Sequence, residues 1–192
     1  MKKKLLLLGD SIRLHYEPMI KEKLSGKADV YSSNDNGRFA QYTLCHLHEL
    51  AREIGCANEI NLVHWNNGLW DVRRSFGEDC MTPPETYAIM LKRIIKRINL
   101  LFPQAKIIFA SSTPVIERLY DDPAIFRTNN DIMEYNAIAK RIMAENNIIV
   151  NDLYITAGNF PDDYYRDATH FTEDGCKILA DTVVKICEPY LF

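Results

Sequence analysis

The chain has 192 residues, 47% of them hydrophobic and 26% charged, with a formal net charge of −3. That length and balance fit one soluble domain over 1–192 with a full hydrophobic core, and neither a disordered nor a membrane-spanning chain. The mild acidity and scattered lysines and arginines leave no electrostatic footprint for nucleic acid or an anionic membrane, so neither is expected as a partner.

The start, Met1 to Lys4 followed by Leu5–Leu8, imitates a signal peptide. Its apolar run stops after four residues at Gly9-Asp10, short of the roughly 7–15 such a region needs, and no small-residue cleavage site follows. We read it as a buried first strand. The five cysteines, Cys45, Cys56, Cys80, Cys176 and Cys187, are odd in number and lack metal-ligand spacing. Free thiols in a reducing cytoplasm are the expected state.

Along the chain, strand-length apolar runs alternate with helical patterns. The strands are expected at Leu5–Leu8, Ala28–Tyr31, Ile60–Trp65, Lys106–Ala110 and Ile148–Asn151. Helices are expected near Glu17–Leu24 and Phe39–Ile54, then from Thr82 to the stop at Pro103. Two more fall near Asn130–Asn146 and Thr172–Cys187, the last ended by Pro189. The third is the clearest: Thr82-Pro83-Pro84-Glu85 fits a capping box with proline at the first helical position. Tyr87, Leu91, Ile94, Ile95 and Ile98 then recur on one face. Continuously apolar strands such as Leu5–Leu8 suit a sheet covered on both faces, and the alternation predicts a three-layer α/β/α sandwich with right-handed crossovers. Ligands in such sheets bind at the carboxyl ends of the strands.

Gly9-Asp10-Ser11 falls at that position after strand one, and Asp167-Ala168-Thr169-His170 lies just before the last helix. A given tripeptide of this kind arises by chance in roughly one chain in twenty of this length, so neither motif is specific alone. As a pair they supply a nucleophile, an orienting carboxylate and a base. Ser11 needs a base to become nucleophilic. His170 can serve, with Asp167 one tight turn away to hold Nδ1 and leave Nε2 for Ser11. Taken singly, Ser11 also fits a turn or N-cap serine, and Asp167 a helix-capping residue. His46 and His48, two apart on a helix, do not share a face and make a poor metal pair.

Gly9-Asp10-Ser11, Gly37 in Asn34-Asp35-Asn36-Gly37, the Asn66-Asn67-Gly68-Leu69-Trp70-Asp71 loop and Asp167-x-x-His170 together resemble the four blocks of the SGNH hydrolases, the GDSL esterase/lipase family. Ser111-Ser112-Thr113-Pro114 and Tyr135-Asn136 are further shared traits. The resemblance implies a flavodoxin-like five-stranded parallel sheet of order 2-1-3-4-5 and hydrolysis of esters without a metal or other cofactor. Ser11 would attack, His170 would act as base then acid, and Asp167 would orient it. The oxyanion would be held by the N–H groups of Ser11 and Gly37 and by a third-block asparagine. One departure stands out. Against the family's Gly-x-Asn-Asp, Gly68 aligns so that Trp70 occupies the asparagine position; Asn67, or else Asn66, is expected to supply the donor instead, with Trp70 as the competing choice.

Aromatic residues near the strand ends (Tyr16, Phe39, Tyr42, Trp65, Trp70, Tyr164 and Tyr165) have Arg13, Arg38, Arg73, Arg74 and Arg166 as sequence neighbours. They suit a small-molecule or glycan ester, such as an acetylated sugar, with Arg13 and Trp70 as candidate substrate contacts. A short-chain lipid or thioester remains a competing substrate, and acyl transfer a competing reaction. A glycan-binding module with a weakened oxyanion hole is a reading of another class. A phosphate-handling flavodoxin-like protein using Asp10 lacks a glycine-rich phosphate loop.

Overall fold

The five apolar runs form one all-parallel sheet in the order β2-β1-β3-β4-β5, as the computed structural model, which describes residues 2–192, lays them out. The strands are β1 (Lys4–Leu8), β2 (Asp29–Ser32), β3 (Leu62–Trp65), β4 (Lys106–Ala110) and β5 (Ile149–Asn151), each within two residues of expectation at either end. Leu6 sits opposite Tyr31 on one side and Val63 on the other, and Val63 opposite Ile107. Leu5, Leu6, Leu7, Leu62 and Val63 are all fully buried, as strands covered on both faces must be.

The covering helices are α1 (Ser11–Lys23), α2 (Ala40–Glu53), α3 (Pro84–Leu101), α4 (Asn129–Glu145), α5 (Leu153–Gly158) and α6 (Glu173–Leu191). α1 packs on α6 with α5 beside it, and α2, α3 and α4 pack in series on the opposite side. The fold is therefore the α/β/α sandwich expected.

The helix ends depart from expectation in instructive ways. α1 begins at Ser11 rather than Glu17, because the Asp10 carboxylate accepts the Ile12 N–H at 3.0 Å and nucleates the turn. Pro18 then falls inside the helix. The Thr82 capping box does not form: Pro83 is the N-cap of α3, and the Thr82 hydroxyl donates to Gln41. α6 runs through Pro189 to Leu191, and α5 had no counterpart in the sequence reading. All five cysteines are free, with Cys176 and Cys187 buried in α6.

Two polar groups lock the sheet to its surroundings. The Asn136 amide on α4 accepts the Ser112 N–H and donates to the Ser112 carbonyl, both at 2.9 Å, so it replaces a strand partner where β4 exits. His64 in β3 is completely buried, with Nε2 3.1 Å from Asn151 Nδ2 and no partner for Nδ1. Burial pushes its pKa down to about 3.

An unfolded histidine titrates near 6.5, so in the interval below that the unfolded chain binds the proton and the folded one does not. His64 therefore costs no stability above about pH 6.5. It removes stability as pH falls from there toward 3, by at most about 1.4 kcal/mol per unit. Urea unfolding at pH 7 and pH 5 should show a clear loss for the wild type and a smaller one for His64→Gln. Equal losses would contradict this assignment.

Candidate active site

The turn between β1 and α1 is built by a close backbone approach. The Gly37 N–H donates to the Gly9 carbonyl at 2.9 Å, and a Cβ on Gly37 would lie 2.7 Å from that oxygen. Only glycine fits there. Gly9 itself, at φ +156, brings its Cα against the Arg13 side chain, where a Cβ would meet Arg13 Cβ at 3.0 Å. With Asp10 capping, Ser11 becomes the first residue of α1. Its N–H belongs to the helix's unpaired first turn, at the positive end of the dipole.

The other half of the site is the loop between the short 3-10 turn Asp162–Tyr164 and α6. Asp167 Oδ1 accepts the N–H groups of Thr169 and His170, each at 2.8 Å, which curls the loop into a tight turn. The same carboxylate meets His170 Nδ1 at 2.9 Å from Oδ2 and 3.0 Å from Oδ1. Partial burial pushes the Asp167 pKa up, but the two backbone donors and the imidazole outweigh it and hold the group below its ordinary value. The Ile116 N–H to Ala168 carbonyl bond, 2.9 Å, ties the loop to the exit of β4. His170 Nε2 then lies 2.9 Å from Ser11 Oγ, across 159 residues of sequence. The structure thus brings Ser11, His170 and Asp167 together in one hydrogen-bonded line.

Behind that line stands His15, one helical turn after Ser11 and unnoticed in the sequence. Its ring meets His170 edge-on with centroids 5.2 Å apart. Burial first, and then the nearby charges of His170 and Arg166, push its pKa down, so His15 presents a neutral ring to His170.

Four candidate site residues have other duties. The Gly37 N–H is spent on Gly9 and is not free for an oxyanion. Asn67 is fully buried: Nδ2 donates to the Arg38 carbonyl and Thr43 Oγ1, both at 2.9 Å, while Oδ1 accepts Trp65 Nε1–H at 2.7 Å. Every amide group of its side chain is committed to joining the β3 exit to α2. Asn66, the neighbouring choice, donates to the Ala110 carbonyl. Arg13 is a buried strut rather than a substrate contact. Its guanidinium reaches Glu17, the Ser33 and Asp35 carbonyls and the Gly9 carbonyl.

Trp70 does reach the site, half-buried in the wall of the pocket that contains Ser11, Asp167 and His170. The pocket holds about 330 Å³. Of the aromatic and arginine neighbours singled out, Arg73 joins it, its guanidinium 5.7 Å from the Trp70 ring centre. Tyr16 and Trp65 are core, and Arg74 is paired with Asp131. Tyr120 and Arg127 also line the pocket; they come from the segment between β4 and α4, where no motif marked them. A second cavity of about 110 Å³ lies among Gly9, Gly37, Tyr42, His46 and Leu50 and contains neither Ser11 nor His170.

No family model and no curated protein matches the chain. Solved structures do match it in shape. A lipase/acylhydrolase from Enterococcus faecalis superposes with a TM-score of 0.79 at 19% identity, over 99% of this chain and 97% of that one. An acetyl xylan esterase, AlAXEase, gives 0.75 at 17% identity over 95% and 98%. A GDSL-like lipase from Bacteroides thetaiotaomicron gives 0.69 at 17% identity over 97% and 88%. With the 2-1-3-4-5 parallel sheet, these superpositions establish that the chain shares the fold of those lipases and esterases.

Removing the Asn67 amide would strand the buried Trp65 Nε1–H and take one partner each from the Thr43 hydroxyl and the Arg38 carbonyl. Asn67→Ala should therefore lower the unfolding free energy by about 1–3 kcal/mol in urea titrations. A variant as stable as the wild type but with a selective loss of catalytic rate would restore Asn67 as an oxyanion donor.

Proposed function

We propose that the chain is a serine esterase, one catalytic domain spanning 1–192, that hydrolyses small acyl esters through Ser11, His170 and Asp167. The observation that carries this reading is the 2.9 Å approach of Ser11 Oγ to an imidazole whose other nitrogen is held by a carboxylate. That arrangement supplies a nucleophile, a base and an orienter in the order acyl transfer needs.

In the first half-reaction Ser11 Oγ attacks the ester carbonyl carbon as its proton passes to His170 Nε2. Asp167 stabilises the imidazolium through Nδ1–H. The developing oxyanion is met by the Ser11 N–H at the positive end of α1, one donor of a kind whose loss typically costs about 10²–10³ in rate. The intermediate then collapses: the alcohol departs with the proton from Nε2, leaving an acyl ester on Ser11. In the second half-reaction water gives its proton to Nε2 and attacks that ester; the bond from the acyl carbon to Ser11 Oγ then breaks as Nε2 returns the proton to Oγ, and the carboxylic acid leaves.

The pocket sets the substrate class. Its volume of about 330 Å³ is near the floor of the range of roughly 300–1,000 Å³ found for ligand sites, which favours an acetyl or similarly short acyl group over a long chain. Two of the similar structures are acetyl xylan esterases, and Trp70 offers an aromatic face of the sort that meets sugars. An acetylated carbohydrate is therefore the substrate we favour.

The purified protein should hydrolyse p-nitrophenyl acetate faster than the butyrate, and Ser11→Ala should lower kcat/KM by at least roughly 10³-fold without loss of fold. A fluorophosphonate probe should label the peptide containing Ser11 alone. Activity that survives Ser11→Ala, or labelling elsewhere, would overturn the serine mechanism.

A further inference from the structure

A buried cation in the catalytic pocket has no role in the chemistry above. Arg127 is only 6% exposed, yet it lines the same pocket as Ser11 and His170. Its Nε donates to the Leu69 carbonyl at 2.5 Å, and Nη1 reaches the Tyr120 hydroxyl at 3.5 Å. Those two bonds fix the guanidinium plane and use up little of its donor capacity. Nη2 has no protein acceptor among the described residues. Nor does any carboxylate there lie within 4.0 Å of the Arg127 guanidinium. Buried guanidinium groups are ordinarily paired, because an uncompensated charge is costly to desolvate. Here the partner position opens onto the space a substrate would fill.

Arg73, which lines the same pocket, reinforces the point. It too has no carboxylate within 4.0 Å among the described residues. Its Nη2 donates to the Ala124 carbonyl at 3.0 Å, and its ring neighbour is Trp70. The negative groups around the pocket do not cancel this pair. Asp167 is committed to His170 and to two backbone N–H groups. Asp10 lies behind, within electrostatic reach of Arg127, with its pKa pushed up by complete burial. Asp121 and Asp122 stand exposed at the mouth, where solvent screens them, and Asp122 is already bonded to the Ala124 N–H.

From this we infer that the pocket recognises a carboxylate on its ester substrate, held by the fork of Arg127 with Arg73 at its side. A planar, fixed guanidinium with free Nη hydrogens matches a carboxylate in two-point geometry. The carboxylate could belong to the acyl half, as in the half-ester of a dicarboxylic acid, or to the alcohol half, as in an O-acylated sugar acid. The inference rests on the serine-esterase reading, and it narrows that reading from small esters to acidic ones.

Two matched pairs of substrates test it and tell the sources apart. p-Nitrophenyl hydrogen succinate against its methyl ester places the charge on the acyl half, and p-acetoxybenzoate against its methyl ester places it on the alcohol half. The wild type should favour the charged member of at least one pair by roughly tenfold or more in kcat/KM, the scale of a charge-assisted contact. Arg127→Gln should collapse that ratio toward one, Arg127→Lys should retain part of it, and Arg73→Gln should reduce it. Added succinate or benzoate should inhibit the wild type competitively, a readout that survives even if the Arg127 variants fail to fold. Equal rates within both pairs, or a preference for the methyl esters, would overturn the inference. So would an Arg127→Gln variant that slows charged and neutral members by the same factor, since Arg127 would then act on the reacting carbonyl. Turnover of the neutral esters with labelling at Ser11 keeps the esterase reading intact whichever way the charge preference falls.

Discussion

A single hydrogen bond between Ser11 Oγ and His170 Nε2 joins two segments 159 residues apart, each shaped by its own neighbours and held in place by distant ones. Ser11 is fixed from below. The Gly9 carbonyl is gripped by the Gly37 N–H and the Arg13 guanidinium, and the Asp10 carboxylate starts the helix. His170 is fixed from the side by the Asp167 turn and the bond from Ile116 to Ala168. The parallel sheet makes the meeting possible. With β1 between β2 and β3 and every strand running the same way, the turn after β1 and the loop tied to the exit of β4 open on the same edge.

Several ionisable groups beneath that edge are buried, which is costly unless each is bonded. Glu17 shows how the cost is offset. Burial pushes its pKa up, and hydrogen bonds from Lys21, Ser32 and Arg13 more than reverse it. Asp71 is less fully compensated. It accepts the Ala40 N–H at the start of α2 at 3.0 Å, yet burial still lifts its pKa to about 7. Such groups hold the loops that carry the site, so rigidity around Ser11 comes at some expense in stability.

Much of this was legible in the sequence where physics acts locally. Continuous apolar runs marked the five strands because both faces are covered, and Asp10-Ser11 and Asp167-x-x-His170 marked the site because a cap and a tight turn need only neighbours in the chain. Legibility failed where the answer depends on distant atoms. Asn-Gly at 36–37 and Asn67-Gly68 read equally as turns or as donors. The structure resolves them through the Gly9 carbonyl and through Trp65, Thr43 and Arg38, none of which is adjacent. Gly68 stands at φ +150, a backbone conformation that other residues rarely adopt, with Ser112 Oγ where its Cβ would stand. Arg13, a candidate substrate contact from its place beside Ser11, instead spends its guanidinium on carbonyls such as that of Ser33 at the exit of β2. Arg127 and His15 carried no motif; only the folded chain sets them against the pocket and the base.

The serine mechanism proposed above requires a covalent ester to form at one hydroxyl. Rapid acid quenching of the protein with p-nitrophenyl acetate, followed by peptide mapping in a mass spectrometer, observes that species directly. An acetyl group on Ser11 that appears with the burst of nitrophenol and decays with turnover is the predicted result. Turnover with no acylated protein at any quench time, or an acetyl group on another residue, would contradict it.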